Sequence, residues 1–187
     1  MEESRAVTLQ LHEVVRVRAA QVGGYVAELH AESVSVYFGF PKSQEHAEER
    51  ACTLALAVVE DAAQLGGQAG APAVAGGAVT IHAGIHAAVS LIGSLAGEGE
   101  GEAARPVAQG EAPNIARQLQ GLARPNEVLM SAVVRDKASS RFAIEPRATA
   151  GGAHVVLRGR ELPVFALRGA LSQQLSLGAA LGAWRSS

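Results

Sequence analysis

The acidic side chain with the best-defined local setting in this chain is Glu32. It sits in GGYVAELHAESVSVYFGFP, residues 23 to 41. Tyr25, Val26 and Leu29 form one apolar set there. Val34, Val36 and Phe38 alternate with Ser33, Ser35 and Tyr37 in a second. A period of two predicts strands, so the stretch reads as a two-strand hairpin with His30, Ala31, Glu32 and Ser33 at its turn. A carboxylate at the tip of a hairpin could hold a cation, because the strands fix its direction. It is also what a solvated turn residue looks like, the ordinary condition of an exposed charge. His82 and His86 are four apart in a strand-like stretch and could share a face, but no third ligand accompanies them and a metal pair has no support. Asn114, beside Pro113, stands where a helix begins and reads as a cap. The single cysteine, Cys52, excludes an internal disulfide and a multi-thiolate zinc site, and within a helical pattern it reads as a small buried apolar residue. No nucleophile-elbow motif and no Gly-x-x-x-x-Gly-Lys phosphate loop is present, so neither a serine hydrolase nor a P-loop enzyme is supported.

Those residues need elements to position them. Val7, Leu9, Leu11, Val14, Val15 and Val17 space out an amphipathic helix over residues 3–20, which Gly23-Gly24 ends. Pro41 stops the hairpin. A helix opening at Ser43 or Gln44 carries Glu45, Glu48 and Glu49 at its positive end, buries Ala51, Leu54, Ala55, Val58 and Val59, and stops at Leu65-Gly66-Gly67. Residues 66–77 are a loop of small residues. Strands follow over 78–86 and 88–93, turned near His86-Ala87, and then an acidic loop over 94–106. A helix runs from Pro113 through Ile115, Leu119 and Leu122. Glu127–Met130 is a short strand, Ser131 to Lys137 a short helix, and 141–147, 153–158 and 162–167 are three further strands. Helices and hairpins in this order make an α+β fold, an α/β sandwich with a largely antiparallel sheet covered by helices. Residues 1–168 form one domain, and 169–187 a tail or linker.

Composition narrows the function. With 187 residues the chain holds one domain with a real core. A formal net charge of -2, with acids and bases mixed, lacks the basic face that nucleic acid or an anionic membrane requires. The N-terminus is acidic and amphipathic, unlike a signal peptide, and no apolar run is long enough to span a bilayer. The expectation is a soluble cytoplasmic protein.

Several stretches, taken in order, resemble the class III adenylate and guanylate cyclase catalytic domain of bacterial type. The Gly-Gly lead into a hairpin closed by Phe-Gly-x-Pro appears as Gly23-Gly24 and Phe38-Gly39-Phe40-Pro41. The acidic helix start with Arg-Ala appears as Glu45-His46-Ala47-Glu48-Glu49-Arg50-Ala51. Gly-Ile-His appears as Gly84-Ile85-His86, with Ala87-Ala88 in place of Thr-Gly. Asn-x-Ala matches Asn114-Ile115-Ala116, with Leu119 in register. Ala-x-Pro-x-x-Val-x-x-Ser matches Ala123 to Ser131, and the closing Leu-Lys-Gly appears as Leu157-Arg158-Gly159. The resemblance covers roughly residues 5 to 168. It implies a ferredoxin-like βαββαβ core that pairs head to tail with a second cyclase domain, as homodimer or heterodimer. It also implies conversion of ATP or GTP to a 3′,5′-cyclic nucleotide and pyrophosphate with two Mg²⁺ or Mn²⁺ ions, in intracellular signalling.

The same resemblance assigns roles and exposes departures. Glu32 stands where the family places a metal-binding Asp. Asn114 holds the ribose-orienting position, and Gln118 replaces the Arg that stabilises the α-phosphate. Arg158 replaces a phosphate-clamping Lys and is otherwise a surface strand residue. Val107, with Ala108, falls where a purine-selecting side chain belongs. The family's first strand, with its metal-binding Asp, has no counterpart; the chain starts at the helix that normally follows it. Its absence predicts a gap or exposed edge in the sheet. Together these departures predict an impaired cyclase, a pseudoenzyme acting as a regulatory partner. The alternatives are a dimerising module that pairs with an intact cyclase or output domain and binds no nucleotide, and a fragment cut off before its first strand.

Overall fold

A computed structural model describes residues 2–30, 33–67, 79–95, 105–147, 154–157 and 160–171. Helix α1 (Glu2–Gln21) ends as its glycines dictate. Gly23 takes φ 74°, its N–H bonds the Ala20 carbonyl, and the Gly24 N–H reaches back to the Ala19 carbonyl at 2.7 Å. This doubled closure needs a left-handed residue, which glycine supplies without strain. Strands β1 (Tyr25–Leu29) and β2 (Val34–Tyr37) form the expected antiparallel hairpin, closed by His30 N–H to Ser33 C=O at 2.8 Å.

Helix α2 (Ala47–Gly67) begins later than its sequence pattern suggests. The Gln44 amide is held by the Gly23 carbonyl at 2.8 Å, and His46 sits at φ 56°, a left-handed residue that an α-helix cannot include. Glu48 and Glu49 then occupy the first turn, near its unsatisfied N–H groups.

The second hairpin differs from expectation. Strand β3 (His82–Ile85) does not turn back onto β4 (Leu91–Leu95). Instead β4 pairs antiparallel with β5 (Arg105–Gln109), drawn from the stretch whose acidic composition suggested loop up to residue 106. The physical reason is that β3 has a better partner: it runs parallel beside β6 (Glu127–Ser131), a strand buried along its whole length. Helix α3 (Ala112–Leu122) and helix α4 (Ala132–Ala138) flank β6 in the chain. Strand β7 (Phe142–Pro146), strand β8 (His154–Leu157) and the long β9 (Arg160–Ala170) complete the element order. The main sheet runs β3-β6-β9-β7, with β8 on the first part of β9; it is mixed, because β3 and β6 are parallel. Strand β9 is longer than its expected 162–167. Residues 172–187 lie outside the described residues.

The sheet is not continuous. The β1–β2 hairpin and the β3-β6-β9-β7 sheet are separate among the described residues. What joins them is α2. Cys52 packs with Val128, Met130, Val134, Phe142 and Phe165 on the main sheet, while Leu54 and Val58 pack with Val15 and Ala19 of α1 beneath the hairpin. A third cluster, Ile115, Leu119, Leu129, Val164 and Ala166, holds α3 to the opposite face of the sheet.

One ion pair lies inside this framework. Arg147 Nε is 3.1 Å from Glu127 Oε1, both side chains 8% accessible. Nε is not aligned for a hydrogen bond despite that distance; the other Glu127 oxygen accepts from the Arg124 N–H at 2.8 Å. Removing one member of a buried pair strands the other charge. Glu127→Gln is therefore expected to destabilise by about 3–5 kcal/mol, read as a lower urea midpoint at unchanged slope.

Candidate functional site

Three elements converge at one end of the main sheet: the C-terminal ends of β3 and β6 and the first turn of α3. Gly84 sets how closely they approach. A Cβ there would lie 2.1 Å from the Ala116 carbonyl oxygen and 2.5 Å from the Gln120 nitrogen. The α3 backbone therefore rests directly on β3, which only glycine permits.

Position along α3 then decides which side chains face where. Ile115 and Leu119 are buried, so they mark the inward stripe. At about 100° per residue, Asn114 and Gln118 flank that stripe on one side, one turn apart, whereas Arg117 falls about 200° from Ile115. The exposure agrees: Asn114 and Arg117 are exposed and Gln118 half-buried. Arg117 cannot substitute for a cation at position 118. Asn114 does not cap the helix, contrary to the capping reading; the cap position is Glu111, with Pro113 inside the first turn. The Asn114 amide is left facing solvent, free of the helix-start role.

His86 follows β3 and joins the two strand ends. Ile85 pairs with Met130, so one step further His86 meets Ser131, and its Nδ1 lies 2.8 Å from Ser131 Oγ. Ser131 is itself buried. Desolvation pushes the His86 imidazole below its ordinary value, and the nearby Glu111 carboxylate opposes that shift. His86 thus bridges β6 and the start of α3. The sequence contained the signal for this contact, since both residues close neighbouring motifs, but only the parallel register brings them together. His82 serves a different partner, Nδ1 lying 2.7 Å from the Ala123 carbonyl oxygen, so the two histidines do not form a pair. Tyr37 adds a further tie, its hydroxyl accepting from the Ala108 N–H at 3.3 Å and linking β2 to β5.

Of the five residues singled out from sequence, the structure brings Asn114 and Gln118 onto one face of α3. Val107 lies in β5 with its backbone opposite Gly93, and nothing further is described of its side chain. Glu32 and Arg158 lie outside the described residues. No group of three His, Cys, Asp or Glu side chains suited to a metal occurs among the described residues. The carboxylate nearest Asn114 in the chain is Glu111, which faces His86.

No family model matches this sequence, and no curated protein does. Solved structures do match. The guanylyl cyclase domain of the RhoGC fusion protein from the aquatic fungus Blastocladiella emersonii, described as dimeric, superposes with a TM-score of 0.73 at 16% identity, over 91% of this chain and 85% of that one. The guanylate cyclase domain of RhGC from Catenaria anguillulae, solved with GTP, gives 0.74 at 15% over 91% and 86%. The adenylyl cyclase CyaB from P. aeruginosa gives 0.69 at 15% over 87% and 81%. The fold is that of the class III cyclase catalytic domains, as the sequence motifs imply.

The lowered imidazole has a stability consequence. Above the unfolded-state value, His86 is neutral in both states; as pH falls through it, the unfolded chain takes up a proton that the folded chain resists. Stability is therefore lost on acidification from just above neutrality into the mildly acid range. His86→Gln is expected to flatten the pH dependence of the urea midpoint between pH 7.5 and 5.5, wild type showing the steeper decline.

Proposed function

We propose that residues 1–168 are a class III nucleotide cyclase domain that has lost most of its catalytic capacity and acts by pairing with a second cyclase-type domain. The single observation that carries this reading is the face of α3: Asn114, the ribose-orienting position by the family resemblance, is exposed there, and the residue one turn on is the neutral Gln118. The reaction requires charge stabilisation on the α-phosphate as the ribose 3′-oxygen attacks. Loss of a positioned cation costs about 10³-fold or more in phosphoryl transfer. Arg117 points away and cannot compensate. The metal ligands are depleted as well. Mg²⁺ or Mn²⁺ would activate the ribose hydroxyl and neutralise phosphate charge if bound; Glu32 is the one candidate ligand the sequence offers, and its extra methylene suits tight octahedral geometry poorly. Arg158 could still clamp a phosphate, and Val107 leaves the base position without a hydrogen-bonding side chain.

Pairing has separate support. Val89 and Leu91, at and just before the start of β4, are 106% and 81% accessible. Two apolar residues so exposed, two positions apart in the chain, are expected to be covered by a partner. The cyclase-type partner, as second copy or different domain, is inferred from the fold. The same surface serves the alternative reading, a regulatory module that binds no nucleotide.

Incubation of the purified chain with ATP or GTP and Mn²⁺ is expected to yield no cyclic nucleotide above background, and Gln118→Arg alone is expected not to restore it. Clear turnover by the unmodified chain would overturn the proposal. Replacing Val89 and Leu91 by Asp is expected to shift the chain towards monomer in sedimentation velocity, with an unchanged melting temperature.

A further inference from the structure

His86 is the first residue after β3, and residues 86–90 form a connection without helix or strand. That connection carries Val89 and leads straight into Leu91 at the start of β4. Two contacts anchor it. Ala87 packs on the buried cluster that holds Met130 and Val134, and His86 Nδ1 lies 2.8 Å from Ser131 Oγ. Just past them, Ala88 and Val89 are exposed. Ser131 has a second claim on its hydroxyl. It is the N-cap residue of α4, with the extended backbone of a cap, φ −79° and ψ 163°. A serine there ordinarily accepts from an N–H of the first turn, but the Ser131 side chain makes no such bond. Its hydroxyl is committed to His86 instead. Among the described residues, Glu111 at the start of α3 is the charged group that acts on the imidazole. The charges on α2 and α4 nearby are engaged elsewhere: Glu48 with Lys137, Glu49 with Arg141, and Arg135 with Asp136. On β3 itself, His82 bonds the Ala123 carbonyl.

We propose that His86 is a pH-sensitive latch: its neutral ring ties the 86–90 connection to Ser131, and protonation releases that connection, with Val89 and Leu91, so that pairing weakens in mildly acid solution. The pairing half rests on the proposed function above; the latch itself does not. Burial disfavours the imidazolium more than Glu111 favours it. A protonated ring is therefore better accommodated in water than at this corner. Once the ring leaves, Ser131 is available to cap α4, which offsets part of the lost bond. One hydroxyl with two alternative partners gives the corner two discrete arrangements for protonation to bias. The latched ring titrates below the ordinary imidazole value of about 6.5, so latching is unimpaired above that pH and weakens as pH falls through it. Between pH 7.5 and 5.5 the opening constant rises at most about tenfold, the limit in which the latched ring takes up no proton.

The test follows backbone hydrogen exchange of the full chain at pH 7.5 and 5.5, each rate divided by the intrinsic rate at that pH. On acidification, wild type is expected to lose protection over 86–91 by about threefold to tenfold, with a fragment covering 52–58 unchanged. His86→Gln keeps a hydrogen-bonding side chain without the titration and is expected to show no such loss. The ring signals of His86 in wild type, followed by NMR, give a check free of substitution: their midpoint is expected below about 6.5. Sedimentation velocity at the same two pH values reads pairing. The wild-type dissociation constant is expected to rise about threefold or more at pH 5.5, and that of His86→Gln to stay level. Val89→Ser with Leu91→Ser is expected to be monomeric at both pH values and to keep the pH-dependent exchange of wild type. Constant protection in wild type overturns the latch. So does an equal loss in His86→Gln, a loss that extends to 52–58, or a ring midpoint at or above 6.5. Wild type that is monomeric at both pH values overturns the pairing reading, and the exchange comparison still decides the latch. Pairing that stays level while exchange over 86–91 changes overturns the link between the two.

Discussion

Helix α2 has to be apolar on two sides at once, and the rest of the molecule depends on that. A sheet normally holds its own strands in register through backbone hydrogen bonds. Here the hairpin and the main sheet share no such ladder among the described residues. Their relative position is fixed through side chains. Cys52, with half-buried Ala55, Leu56 and Val59, faces β6, β7 and β9, and Leu54 and Val58 face α1 and the hairpin. Charged contacts fix the rotation of the helix between these two surfaces. Arg18 of α1 makes a two-point contact with Asp61, and Glu48 and Glu49 meet Lys137 and Arg141 on the far side. The Cys52 thiol sits deep enough that burial, with Glu49 and Glu48 nearby, pushes it up to about 12, in keeping with a packing role and no reactivity.

From this arrangement the candidate site inherits its geometry. Since α2 seats β3 and β6, and Gly84 lets α3 lie on β3, the position of Asn114 is set by the core and not by local turns. The His86–Ser131 contact secures the same corner from below. The α3 face thus presents an exposed amide at Asn114 with the half-buried neutral side chain of Gln118 one turn on.

Legibility in the sequence followed the range of the forces involved. The end of α1, the first hairpin and the buried strand at Glu127–Met130 could be read because Gly23-Gly24, alternating Val34-Val36-Phe38 and a run of apolar residues are local signals. The order of motifs then pointed to the fold that the solved cyclase domains confirm. What could not be read was pairing. Nothing in residues 82–95 says that β3 prefers the distant β6 to the adjacent β4, because the preference lies in β6, a strand buried along its whole length and distant in sequence. Likewise Arg105–Gln109 has strand character only against Leu91–Leu95, and its acidic surroundings pointed to loop. The late start of α2 was hidden for another reason: Gln44 is committed to the Gly23 carbonyl, a contact across 21 positions. At the site, the three-residue offset between the cap Glu111 and Asn114 was not visible, since Asn beside Pro reads equally well as either.

The residues that hold this fold and the residues that would do chemistry are physically separate sets. Gly23, Gly84, Cys52, Ile115, Leu119 and Ser131 act through backbone conformation, close approach or burial, and each has neighbours that would clash or be left unpaired if it changed. Gln118 stands half-buried on the flank of α3, outside the buried stripe of Ile115 and Leu119, where the stem of an Arg could lie as that of a Gln does. A catalytic charge on such a flank contributes to the transition state and little to stability; its loss leaves the ordering of α3, β3 and β6 intact. The join between the hairpin and the main sheet is different in kind: among the described residues it is made by side-chain packing on two sides of α2, so core residues there, not a backbone ladder, set the geometry.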